Sequence, residues 1–478
     1  MVKTILSIFL IGFFMQKIAA QRKDIETRFI PAEDLNKDLL VLKDVLLATH
    51  PSVGFYYSKE WYKKYFDTSL VVSQAMTEKL FRMFLRQKLQ VLHCGHSGIL
   101  PSKMYQRYLR KKPFVVLPYY FAYFEPYLLS IKGLEKSDTL LRSLDTVIEI
   151  DGQNVSDLAR VFSSYLYVDG RAYKARDEMV QRNFGFYYSA IFEKDTVVLT
   201  LLKRGARIYK KVAMRSYKQV SNEWWKMTSD TLRHQYGGRY YTGVYLDNNR
   251  NVFYMKISAF GGLSMRWFFR KTFRSLKKYQ TENLIIDLRN NPGGKIAQCL
   301  DLLRYLLPSK DSLLYDTGIE EIPHPRYVSH KLEYRVIRLL MRWSKKKRDG
   351  RYVDVIGPKK KRHYDKRVYV IINSHTFSAA NLVAVYLSQK RQDVKLVGSE
   401  TSGVLWGSNA VSFLRARLPL SKVKIIIPTY RIYHTISFVS DDGLYPVKPD
   451  ISVYYSPQDF LNKKDKALEM IYRDLRRR

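Results

Sequence analysis

Three short segments hold residue types that together could carry out acyl transfer: CGHSG (94 to 98), RNNPGG (289 to 294) and SHTFSAAN (374 to 381). A serine nucleophile needs a base to take its proton and donors to hold the oxyanion that forms. Ser378 can attack, His96 can take the proton, and the backbone N–H groups of Gly293 or Gly294 and of Ala379 can form the oxyanion hole. Glycine suits a place where the backbone must approach a substrate closely or take a positive φ. Each piece alone has a plainer explanation. A serine ahead of a helix is commonly an N-cap, a single histidine is commonly structural, and Pro-Gly-Gly is commonly a turn. The weight rests on the combination. His375 is a rival base, and His93, Cys94 and His96 could form a metal cluster, but no HExxH or CxxC adds further ligands. No metal or other cofactor is expected.

These turns must be positioned by the elements around them. From about residue 240 to 460 apolar strands alternate with helices: NVFYMKIS, NLIIDL and VYVIIN each precede a helical stretch, and VKLVG and VKIIIPTY follow. That order predicts a largely parallel sheet covered on both faces, with sites at the carboxyl ends of its strands. The closing segment sets Leu468, Ile471, Tyr472 and Leu475 on one helical face, which should dock on that sheet. Residues 21–114 read as an N-terminal helical domain. Leu35, Leu39, Leu42 and Leu46 mark one of its helices, and Phe81, Phe84, Leu85, Leu89 and Leu92 mark another. Residues 115–215 change to short strands around TVIEIDGQNV, an apolar run closed by Asp-Gly, which resembles a PDZ module. PDZ domains bind free chain ends by strand addition and carboxylate capture. Residues 216–478 form the remaining α/β core, with a basic insertion at 335–367.

A family resemblance runs through residues 30 to 475. LIIDLRNNPGG resembles the IDLRxNxGG segment of the tail-specific, or C-terminal processing, serine proteases, and TFSAAN resembles their nucleophile segment. CGHSGI resembles the DGHT segment of the tricorn-core-like branch, and LYPVKPDISVYYSPQDFLNKKDKALE resembles that branch's ending. The four segments occur in family order. The resemblance implies a crotonase-like α/β protease core, with Ser378 as nucleophile, His96 as base, and Gly294 and Ala379 as oxyanion donors. Three positions depart from the family pattern. Val404 stands where Ser-Lys members carry lysine, Cys94 replaces the Asp of DGHT, and Asn381 replaces the usual Glu. The acid that completes a tricorn-like site would align near Gly443, which nominates Asp442, with Asp441 beside it. The resemblance implies a serine endopeptidase that acts on envelope or secreted polypeptides, with the substrate's C-terminus as an expected recognition element. The alternative is a non-catalytic carrier or scaffold of the same fold, since the interphotoreceptor retinoid-binding proteins resemble this family and serve as carriers.

Composition bounds these expectations. The chain has 478 residues and is 46% apolar, which argues for compact folding in more than one domain. MVKTILSIFLIGFFMQKIAA has a charged start, an apolar core and a closing Ala19-Ala20, the layout of a signal peptide cleaved before Gln21. The expected destination is the periplasm or the exterior. Two cysteines, Cys94 and Cys299, exclude a disulfide framework and leave one bridge or two buried thiols open. The net charge of +38 is partly local: residues 335–367 hold 14 Lys or Arg against 3 Asp or Glu. Without a zinc-finger, RNA-binding or phosphate-loop signature, no specific nucleic-acid partner is expected. Such runs are commonly solvated and adsorb weakly to anionic envelope surfaces.

Overall fold

The strands Val252–Ile257, Asn283–Asp287, Arg367–Ile372 and Val394–Gly398 are continuous apolar runs, and all four pair in parallel. In a computed structural model, described over residues 25–135, 140–221, 236–344, 346–435, 443–462 and 464–477, they form the middle of a seven-stranded sheet. Both faces are covered, which is why the strands are apolar throughout rather than alternating. Phe253, Met255, Leu284, Ile286, Val368 and Val370 face one core, together with the helices Met265–Lys278, Ile296–Leu306 and Ala379–Lys390. Tyr254, Ile285, Tyr369 and Ile371 face the other side, where Ala467, Leu468 and Ile471 of the closing helix Lys466–Arg476 dock.

A second sheet differs from the single parallel sheet expected. VKIIIPTY lies in the strand Lys424–His434, which pairs antiparallel with Gly407–Arg417 and Asp311–Asp316. Apolar content marks a strand but does not name its neighbour. Gly98–Leu100 adds to the same strand, pairing Gly98 with Ile426, and so ties the segment after His96 to this sheet.

Two boundaries also change. The helices Ala32–Thr49, Lys59–Ser69 and Glu78–Lys88 bury Leu35, Leu42, Phe66, Phe81 and Leu85 in the core shared by both sheets, so residues 25–114 are part of the body. Residues 335–367 are not an exposed insertion. Arg351–Ile356 pairs with Asp311–Asp316, and Met341, Tyr352, Ile356 and Tyr364 are buried. The charge count masked apolar positions that recur among the cations.

The β-rich module has its own core of Phe121, Leu128, Val147, Leu158, Phe184 and Leu199. Its antiparallel sheet runs in the order Ala206–Ala213, Thr196–Lys203, Thr146–Ile150, Tyr127–Gly133, Tyr119–Phe124, with the helix Tyr173–Phe192 against it. Val115–Val116 pairs with Arg215–Ser216, so the chain enters and leaves the module side by side. Residues 1–20, read as a signal peptide, lie outside the described residues. Among the described residues no helix is long and apolar enough to cross a membrane.

Candidate active site

Arg367–Ile372 ends in the turn 373–378 before the helix Ala379–Lys390, so Ser378 sits where a buried strand becomes a buried helix. Its backbone is held at φ 53°, ψ −123°, an arrangement that costs a non-glycine residue about 1–3 kcal/mol. Ser378 occupies the N-cap position, yet its side chain makes no capping hydrogen bond. The hydroxyl turns instead to His96, with Oγ 3.0 Å from Nε2. The capping explanation therefore fails on geometry.

The glycine turn lies against this serine. A Cβ on Gly293 would stand 2.6 Å from the Ser378 Cβ, and one on Gly294, at φ 131°, would fall on the Phe260 carbonyl. The Gly293 N–H donates to Asn291 Oδ1 at 2.8 Å and is therefore committed. Among the described residues neither the Gly294 nor the Ala379 N–H has an acceptor, and Ala379 opens a helix whose first N–H groups have no intrahelical partner. Of the two glycines, Gly294 is left with a free donor.

Polar side chains lace the two turns together. Asn291 is fully buried; its Nδ2 donates to the Ile257 carbonyl, and its own carbonyl accepts from the Phe377 N–H at 3.0 Å. Asn290 and Asn373 exchange hydrogen bonds of 3.0 and 2.9 Å. Beneath them, burial opposes the charge on Asp287, but Arg289 overcomes it and holds the carboxyl below its ordinary range. Arg289 also reaches Asp465, the N-cap of the closing helix, at 2.8 Å.

His96 is held by different means. Its ring packs at a tilt against Phe377, with centroids 4.6 Å apart, and Nδ1 lies 3.2 Å from Ser408 Oγ. Burial pushes its pKa down to about 4, so the ring is neutral at physiological pH. Ser408 in turn faces Asp169, a buried carboxylate on the segment leading into the helix Tyr173–Phe192. Asp169 Oδ1 accepts from the Gly95 N–H at 2.7 Å, next door to His96. Burial pushes the Asp169 pKa up to about 7, while the Gly95 N–H and the Ser408 hydroxyl favour its charged form. Among the described residues Oδ2 has no hydrogen-bond partner.

Asp169 was not legible as a site residue. The one available signal was an Asp-Gly pair closing the apolar run Leu166–Val168, which reads as an ordinary turn. Asp442 and Asp441 lie outside the described residues. The other candidates separate cleanly. His93 Nδ1 lies 3.1 Å from the Gly170 carbonyl and helps fix the Asp169 turn, and His375 Nδ1 lies 3.2 Å from Ser374 Oγ. Cys94 and Cys299 are free, buried thiols. Burial raises the pKa of both, Cys94 to about 12, and Cys299 Sγ donates to the Ala379 carbonyl. Asn381 bonds the Val404 carbonyl at 2.9 Å and Thr401 at 2.7 Å, and Val404 is fully buried, so the place of the family lysine is filled by a packed turn. Among the described residues no cluster of His, Cys, Asp or Glu could hold a metal.

The family model for Peptidase family S41 matches residues 251–453. No curated protein matches the chain in sequence. Among solved structures, mature CPAF is similar at 16% identity and a TM-score of 0.61, covering 92% of this chain and 96% of its own. Mature CPAF complexed with lactacystin gives 15% identity and a TM-score of 0.59, covering 92% and 97%. The photosystem II D1 C-terminal processing protease gives 14% identity and a TM-score of 0.41, covering 90% and 98%. The fold is that of an α/β protease, and the matched stretch contains Ser378, Gly294 and Ser408. Residues 251–453 therefore carry the domain of Peptidase family S41, and the chain is a serine-type peptidase.

Proposed function

We propose that the chain is an exported endopeptidase in which Ser378 is the nucleophile and His96 its general base. The observation that carries this reading is the 3.0 Å contact between Ser378 Oγ and His96 Nε2 across 282 residues of sequence, made by a serine whose backbone is strained and whose capping role is unused. The Ser378 hydroxyl donates to neutral Nε2, attacks the scissile carbonyl and passes its proton to the ring. The developing oxyanion accepts from the Gly294 and Ala379 N–H groups. His96 then delivers the proton to the leaving amine, and water repeats the sequence on the acyl-enzyme. His96 Nδ1–H donates to Ser408, whose hydroxyl faces Asp169, so Asp169 acts through Ser408 to orient the ring and support its cationic form.

The finer features follow the same line. The antiparallel sheet of residues 115–215 with its packed helices supports a PDZ-like module that captures a substrate's C-terminus. The segment before Gln21 supports export to the periplasm or beyond, to act on envelope or secreted polypeptides. The test is hydrolysis of an unstructured polypeptide by wild type, Ser378→Ala, His96→Ala and His375→Ala, with the substrate's terminus free or amidated. Wild type and His375→Ala should cleave, the other two should not, and amidation should raise KM. An active His96→Ala beside an inactive His375→Ala would overturn the base assignment.

A further inference from the structure

The helix Lys331–Ser344 carries two apolar faces. Tyr334, Ile337 and Met341 turn inward, with the Tyr334 ring 6.2 Å from Tyr430 of the antiparallel sheet. Leu332, Val336, Leu339, Leu340 and Trp343 recur at i, i+4, i+7, i+8 and i+11, which is one helical face, and all five are exposed. Leu332 is 75% exposed and Trp343 80%, unusual for such side chains in continuous array. Arg335, Arg338 and Arg342 form a third stripe, between the buried face and the exposed one. Glu333 is the helix's only acid.

We propose that this helix is a docking surface for an anionic lipid bilayer. Lying in the interface plane, it would set the five apolar side chains at the acyl boundary and the three arginines among the headgroups, the arrangement of surface-bound amphipathic helices. Trp343 would stand at the depth where tryptophan is enriched. Charge decides against two other occupants. A second copy would bring like-charged stripes together in a chain of net charge +38, and a nucleic acid would meet the arginines but leave the apolar face in water.

The probe is vesicle co-sedimentation of the full chain, with tryptophan emission, on phosphatidylcholine with and without phosphatidylglycerol. Wild type should bind the anionic vesicles and shift its emission to the blue. Because each arginine near such a surface is worth about fivefold in affinity, Arg335→Gln/Arg338→Gln/Arg342→Gln should bind about a hundredfold more weakly. Leu332→Gln/Leu340→Gln/Trp343→Gln should lose both binding and the shift. The substituted positions are exposed, save the half-buried Arg338, and none reaches the buried face, so each variant should keep wild-type peptidase activity and melting temperature. The proposal is overturned if wild type ignores anionic vesicles, or if the apolar variant binds them as wild type does. It is equally overturned if that variant instead dissolves a dimer, which would make the face a contact between copies.

Discussion

The two halves of the site are built by different physics. Ser378, Gly294 and Ala379 sit on adjacent turns at the carboxyl ends of parallel strands, fixed by backbone geometry and by buried asparagines that bond from turn to turn. His96 and Asp169 come from two segments outside residues 251–453, joined by the Gly95 N–H to Asp169 and the Gly170 N–H to the His93 carbonyl, and Ser408 ties His96 to the antiparallel sheet. The first half is a property of one sheet. The second exists only when the N-terminal segment, the β-rich module and the antiparallel sheet are packed together. Such an assembly should be more sensitive to pH and to conservative substitution than the turn that carries Ser378.

The largest expected effect lies where the halves meet. Ser378→Ala and His96→Ala should each reduce kcat/KM by roughly 10⁴- to 10⁶-fold, and the double variant should be little worse, because the pair acts as one unit. A double variant far below either single one would separate the two residues.

Next is the acid. A hydrogen bond to a charged group is worth about 1.5–3 kcal/mol, so Asp169→Asn should lower kcat about 10- to 100-fold. The amide keeps an acceptor for the Gly95 N–H, so the fold should survive. Folding raises the pKa of Asp169, so the native state keeps a proton that the unfolded chain loses near 4. Stability from this group is therefore full at low pH and is lost as pH rises toward about 7. Asp169→Asn should accordingly melt no lower than wild type at pH 8, and relatively higher there than at pH 5. A melting temperature lowered at both pH values would make Asp169 a structural residue.

The glycine turn should answer in stability. Gly294→Ala places a side chain on the Phe260 carbonyl at a φ near 131°, which should cost at least about 1–3 kcal/mol, read as a fall in melting temperature. The pH profile is subtler. With the His96 pKa depressed by burial, the acid limb of kcat/KM should fall below the ordinary imidazole value, toward about 4, as the ring gains a proton and ceases to be a base. A limb at 6.5 or above would mean that the charge on Asp169 outweighs burial. The smallest effect is expected from the basic run. Replacing Lys360 and Lys361, both exposed, with serines should leave the melting temperature nearly unchanged, since exposed charges contribute about 0–1 kcal/mol each.

This division also explains what the sequence could disclose. Ser378, His96 and the glycine turn could be nominated as candidates because each sits in a short segment whose residue types are constrained together, and the structure brings them side by side. The parallel strands were legible because burial on both faces leaves continuous apolar runs such as Val368–Ile372. The antiparallel sheet was not, because Lys424–His434 shows its burial but not its partners, and the cations of 335–367 obscured Tyr352 and Ile356. Asp169 was hidden for a related reason. It meets Ser408 only through tertiary packing, and a carboxylate before glycine has no local pattern that separates a relay from a turn.

The central claim, that Ser378 is a nucleophile activated by His96, is tested most directly by fluorophosphonate labelling with the adduct mapped by peptide mass spectrometry. The account predicts one adduct, on Ser378, absent in Ser378→Ala and formed far more slowly in His96→Ala. An adduct on another residue, or labelling of His96→Ala at the wild-type rate, would contradict it.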